Sequence, residues 1–219
     1  MNQKVLNISL PKERSLDQLK DFVFLKKIIS EIKLFFNNQE NFLLINIKED
    51  LVRNYIFESA SNSLTFKPTI IDLYEKKFDL EKLKKPIVFI TNLSNKYLDE
   101  ETEIFLFNSF NYCLSKNIKI LFSSDDFVKN LDIKLPDLES RLNTILPVEI
   151  LNPTDEEKMN LINFELKQRG LDIDEKDMRY IFTHHSRDLS SLLNLAEKLD
   201  EISHQEKKSI SINLIKKII

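Results

Sequence analysis

A chain of 219 residues with 42% hydrophobic and 31% charged side chains carries enough apolar surface for a core and too much for a disordered tail. Its formal charge of −3 argues against direct DNA binding through clustered phosphate neutralisation. One cysteine, Cys113, excludes an internal disulfide.

The first residues, 1–21, show little periodicity and are expected to form a flexible or loosely docked arm. They also lack the apolar run of a signal peptide, and no stretch of the chain approaches the roughly 20 apolar residues of a membrane span. The expected setting is cytoplasmic, without membrane partners.

From residue 22 the pattern alternates. Four short β-rich runs, 42–47, 69–74, 86–91 and 118–123, and a weaker fifth at 148–151, are separated by helical spacing such as Phe105, Phe107, Phe110, Cys113 and Leu114. Strands that alternate with helices pair in parallel and place the crossovers on both faces, so 22–152 reads as a doubly wound α/β domain of five strands. Cys113 falls inside an apolar helix and reads as a small buried hydrophobe. Most of the 16 Phe also fall on core-facing positions, so packing is expected of them before base stacking.

After Asn152–Pro153 the strands stop. Thr154 with Glu157 forms a capping box, and the helix it opens is expected to run to Arg169 and end at Gly170. Asp174 is expected to cap a second helix through about His184, Ser186 a third through about Ile202, and Ser211 a short last one. Residues 153–219 thus read as a small helical lid, with 204–209 as a loop. His184 and His185 have no metal-ligand spacing and suit a helix C-terminus.

Glycine is the anomaly: Gly170 is the only one, where average usage gives about fifteen. A phosphate-binding loop needs glycines because its backbone must curl until several N–H groups face the phosphates, and it needs a Lys and a hydroxyl for charge and magnesium. The first strand is followed instead by Lys48, Glu49, Asp50 and Leu51. The third strand ends in Thr91–Asn92, with no carboxylate for a divalent ion. No metal or cofactor is expected, a residual ADP pocket between sheet and lid being the alternative.

The order Ile120–Leu121–Phe122–Ser123–Ser124–Asp125, then Leu135–Pro136–Asp137–Leu138–Glu139–Ser140–Arg141–Leu142, then 151–170, then Ser186–Arg187–Asp188–Leu189, resembles the AAA+ domain of the DnaA-related family, including its short Hda-type members. The resemblance implies an AAA+ sheet followed by a lid, an arginine finger at Arg141 and a first sensor at Ser124–Asp125. It places a vestigial second sensor at Arg187, for which hydrogen bonds holding the lid to the sheet are the favoured role. In that family a short N-terminal segment docks on the DNA polymerase sliding clamp, and here Gln3, Val5 and Leu6 would fill that role. Lys4 and Asp126 depart from the family pattern, and the initiators' helix-turn-helix DNA-binding domain has no counterpart in these residues.

The implied partners are the DnaA initiator and the clamp, and the implied role is an Hda-like regulator of replication initiation with no ATPase activity of its own. Arg141 would act in trans on a partner's nucleotide. The alternatives are a scaffold that binds without stimulating hydrolysis, a surface ion pair of Arg141 with Asp137 or Glu139, and a plain arm at Gln3–Leu6.

Overall fold

The computed structural model describes residues 14–206 and 209–219. Five parallel strands form one sheet: β1 (Phe42–Asn46), β2 (Thr69–Asp72), β3 (Ile87–Leu93), β4 (Lys119–Ser124) and β5 (Pro147–Glu149), in the spatial order β2-β3-β4-β1-β5. The helices of this part are α1 (Leu16–Leu19), α2 (Val23–Asn37), α3 (Asp50–Asn62), α4 (Glu100–Lys116) and α5 (Pro136–Asn143). Then come α6 (Asp155–Gln168), α7 (Glu175–His184), α8 (Leu189–Glu206) and α9 (Ile212–Ile215).

Strand side chains alternate between the two faces, so each strand feeds two cores. Leu43, Ile45, Phe89 and Leu121 pack with α2, α3 and the C-terminal helices. Leu44, Val88, Ile90, Ile120 and Phe122 pack with α4 and α5. The first core does not stop at the sheet: it continues through Leu161, Ile162 and Leu166 of α6 to Leu192, Leu195 and Leu199 of α8. Lid and sheet therefore share buried surface.

The expected strands are present with shifted ends. β2 stops early because the Asp72 carboxylate accepts the Tyr74 N–H and turns the chain into a 3₁₀ turn at Leu73–Glu75. β3 runs on past Thr91 to Leu93 through a bulge at which Asn92 is left-handed (φ 64°). The last strand comes earlier than expected, since the Leu151 N–H leaves the ladder for the Phe24 carbonyl.

With glycine only at position 170 (φ 74°), the other left-handed positions are Asn92, Asn117 and Lys76. Asparagine tolerates that region because its short side chain can bond locally. Asn117 uses it to end α4.

In the lid, the Thr154–Glu157 box, the Gly170 terminus and the Asp174 cap form as the sequence predicts. The third cap does not. Asp188, directly before α8, accepts the Ser191 N–H at 2.7 Å, and the Ser186 hydroxyl is spent on the Asp188 carboxylate. α8 runs to Glu206, so the expected loop begins later than position 204.

The N-terminal expectation changes as well: residues 1–13 lie outside the described residues, but from Arg14 onward the chain is docked. Leu16 and Leu19 are fully buried, three residues apart in one helical turn that is too short to show a period. Arg14 reaches a polar hub that no local pattern announced. Glu165 of α6, 1% exposed, accepts from Arg14 Nε at 3.1 Å and from the Tyr55 hydroxyl of α3 at 2.9 Å. Arg14 also lies over the Tyr55 ring. Arg169, one turn from Glu165, ties on to Asp200 of α8 at 3.1 Å. N-terminal segment, sheet domain and lid thus meet at one carboxylate.

Burial pushes the Glu165 carboxyl above its ordinary value of 4.5, the pull of Arg14 offsetting only part of it. A raised acid pKa contributes stability that is full below pH 4.5 and is lost as pH rises through the folded value. Glu165→Ala, which strands the buried Arg14, should cost about 3 kcal/mol in urea denaturation. Glu165→Gln should cost about 1 kcal/mol. The margin of the native chain over the Gln variant should shrink as pH rises above 4.5, and a widening margin would contradict this account.

Candidate functional site

In an open parallel sheet, ligands bind beyond the carboxyl ends of the strands where successive connections leave in opposite directions. Here β1 connects towards β2 and β4 connects towards β5, so that crevice opens between β1 and β4. The register aligns Asn46 with Ser124, which brings the turn after each strand to the same rim. A cleft of about 550 Å³ lies there, lined by Lys48, Asp50 and Leu51 after β1, residues 94–96 after β3, Asp125 and Asp126 after β4, and Ser190 from the lid.

The turn from β1 to α3 is three residues long, Ile47 to Glu49. Its inside is filled. The Arg53 side chain, 3% exposed, folds back from α3 and donates to the Ile47 carbonyl at 2.6 Å and, more weakly, to the Lys48 carbonyl at 3.4 Å. Its other terminal nitrogen donates to Asp50 and to Asn92 Oδ1 at 3.2 Å. Asn92 passes the chain on: its Nδ2 donates to Asp72 at 2.7 Å and its backbone N–H to Ser123 Oγ at 3.2 Å. One guanidinium thus links α3 to the ends of β1 and β3, and through Asn92 to β2 and β4.

Asp125 and Asp126 line the cleft, but Ser124 is fully buried, its hydroxyl within 2.9 Å of the Leu93 carbonyl and facing the Asp126 backbone. The Asp126 carboxylate is taken up locally by the Asn130 side chain and the Phe127 N–H, which hold its carboxyl below the usual range. Lys48 and Lys96 face three carboxylates across this space, one of them already bound by Arg53. A polyphosphate finds neither curled amides nor net positive charge here.

Arg187 is not part of the cleft lining. It bonds Asp155 at 2.7 Å and the Phe182 carbonyl at 2.9 Å, joining the start of α6 to the end of α7 inside the lid, which corrects the expectation that it holds lid to sheet. His184 stacks on Tyr180 in the last turn of α7. Burial pushes the Cys113 thiol up to about 12, as suits a packing residue. Gln3, Val5 and Leu6 lie outside the described residues. Among the described residues no group of His, Cys, Asp and Glu could hold a metal ion, and no helix is long and apolar enough to cross a membrane.

Arg141 lies on α5, apart from the cleft. The expected pairing with Asp137 or Glu139 is not made; the guanidinium carbon sits over the Phe107 ring of α4, 4.9 Å from its centroid. α5 begins at Leu135, which has no side chain to cap it. The cap comes from α4: Glu103, 3% exposed, accepts the Lys134 N–H at 3.0 Å and the Leu135 N–H at 2.7 Å.

Residues 155–219 match the family model described as Hda, lid domain. Domain III of the replication initiation protein DnaA from Thermotoga maritima superimposes with a TM-score of 0.72 at 16% identity, over 92% of this chain and 93% of that one. The chain is an AAA+ protein related to DnaA and Hda. Other AAA+ relatives align less closely. AMPPCP-bound DnaA from Aquifex aeolicus gives a TM-score of 0.65 at 15% identity, over 91% and 71% of the two chains. A point mutant of RuvB from Thermotoga maritima gives 0.66 at 14% identity, over 93% and 70%. An uncharacterized protein of Haemophilus influenzae is 28% identical over 176 residues, 78% of this chain and 76% of its own length. In this AAA+ chain the crevice after β1 is thus the family's nucleotide position on fold grounds, and Arg53 sits in its turn.

Sequence reasoning missed Arg53 and Glu103, and the signal was present. Arg53 precedes Ile56 and Ala60 by three and seven residues, and Glu103 precedes Leu106 and Phe110 likewise. Each is a charge standing on an apolar stripe. Arg53→Ala should leave two carbonyls and Asn92 unsatisfied and cost about 3 kcal/mol. Equilibrium urea denaturation reads it, and a loss under about 1 kcal/mol would show that the guanidinium does not hold the turn.

Proposed function

We propose that this chain is an Hda-like regulator of replication initiation that does not turn over nucleotide itself and acts on the ATP held by a DnaA-type partner. The Arg53 turn carries the reading. A triphosphate binds a P-loop through backbone N–H groups that curve around it. Three non-glycine residues wrapped on a guanidinium offer no such curve, and expelling Arg53 would cost the bonds that hold four strand ends. Glu49 and Asp50 add charge of the wrong sign. No nucleotide, metal or other cofactor of its own enters the proposed mechanism.

Arg141 is the residue proposed to act. An arginine that reaches a neighbour's site stabilises charge developing on the transferring phosphoryl group, an effect worth about 10³–10⁵ in rate. Such a residue must keep its donors free until the partner arrives. No ion pair to Arg141 is made among the described residues, which supports the assignment. Docking of the sliding clamp by Gln3, Val5 and Leu6 completes the proposal and rests on the sequence resemblance.

Purified chain added to an ATP-bound DnaA-type initiator should stimulate hydrolysis. Arg141→Ala should reduce that stimulation by about 10³ while the two proteins still bind. A variant that stimulates as well as the native chain would leave only the scaffold role. Calorimetric titration with Mg-ATP should give no binding heat, and a saturable signal would overturn the reading of the crevice.

A further inference from the structure

The contacts of Arg141 point past the arginine to what places it. A free arginine side chain samples many rotamers, and fixing it at the moment of reaction costs entropy. Ion pairing with Asp137 or Glu139 would fix it and also spend its donors and neutralise its charge. A ring beneath the guanidinium restrains it by the attraction of a cation to the π face and leaves the N–H edges available. Phe107 supplies that ring, 4.9 Å from the guanidinium carbon.

The ring is held by the same helix that sets α5. Glu103 and Phe107 are one turn apart on α4; the first fixes the start of α5 through its backbone N–H groups, the second receives the side chain from that helix. Leu138 and Leu142 of α5 are fully buried in the core that Phe107 packs against, so the two helices do not slide independently. The seam is a rigid mount with one exposed cation.

We propose that Phe107 is the positioning residue of Arg141, holding its guanidinium extended and unpaired for a phosphate brought by the partner. This rests on the reading of Arg141 given above. The restraint from an exposed cation–π contact corresponds to roughly two- to five-fold in the placed population.

The test replaces the ring in the full chain. Phe107→Leu should lower the maximal stimulated hydrolysis roughly two- to five-fold. The concentration of chain giving half stimulation should stay unchanged, and Phe107→Tyr should restore the maximum. In parallel, proton NMR of the native chain should show the Arg141 side-chain resonances shifted upfield by the ring, and Phe107→Leu should return them to ordinary positions. Phe107→Met serves as the second variant if Leu melts early.

Full stimulation by the Leu variant, with Arg141→Ala inactive, overturns the positioning role and leaves the arginine assignment standing. A raised half-stimulation concentration at unchanged maximum also overturns it, because Phe107 is then a partner contact. Unaltered stimulation by Arg141→Ala removes the reading beneath it, whatever the NMR shows of the stack.

Discussion

One buried guanidinium decides what the crevice of this fold contains. Charge is expensive to remove from water unless its hydrogen bonds are replaced, and Arg53 finds acceptors at the ends of two strands and on its own helix. The strands therefore converge on a protein side chain. A three-residue turn suffices because nothing larger has to be enclosed. The bulge at Asn92 follows from the same arrangement, since its left-handed backbone lets one side chain face both Arg53 and Asp72.

The same economy recurs elsewhere. Glu103 closes α5 and Glu165 joins N-terminal segment, sheet and lid, each a single charged residue with several partners. All three sit on helices whose remaining inward residues are apolar. Removing any one leaves groups that water cannot reach, so the polar contacts specify the arrangement more sharply than the apolar area around them does.

Much of the fold was legible because it depends on periodicity. Alternating strands and helices, the Thr154 and Asp174 caps and the Gly170 terminus are local patterns that tertiary structure had no cause to override. Legibility failed where a residue's role depends on something distant. Leu16 and Leu19 gain their meaning only from α2 and α3, and Ser186 lost the cap to Asp188 because one position decides which oxygen meets the N–H at Ser191. For the site, the missing glycines told what could not be wrapped, whereas what stands in its place had to be seen. Arg141 was picked out by resemblance, but its seat on Phe107 lies 34 residues away in sequence.

The apolar core that passes from the sheet into α6 and α8 bears on how the molecule can move. A lid that swings needs a seam where few side chains interlock, and Asn152–Pro153 looks like one on paper. In three dimensions Leu161, Leu195 and Leu199 belong to the same packed body as Ile45 and Phe57. Rotation about the linker would have to pull that body open, so the chain should melt as one piece, and a protease cutting at the linker would find no pair of self-sufficient halves to release.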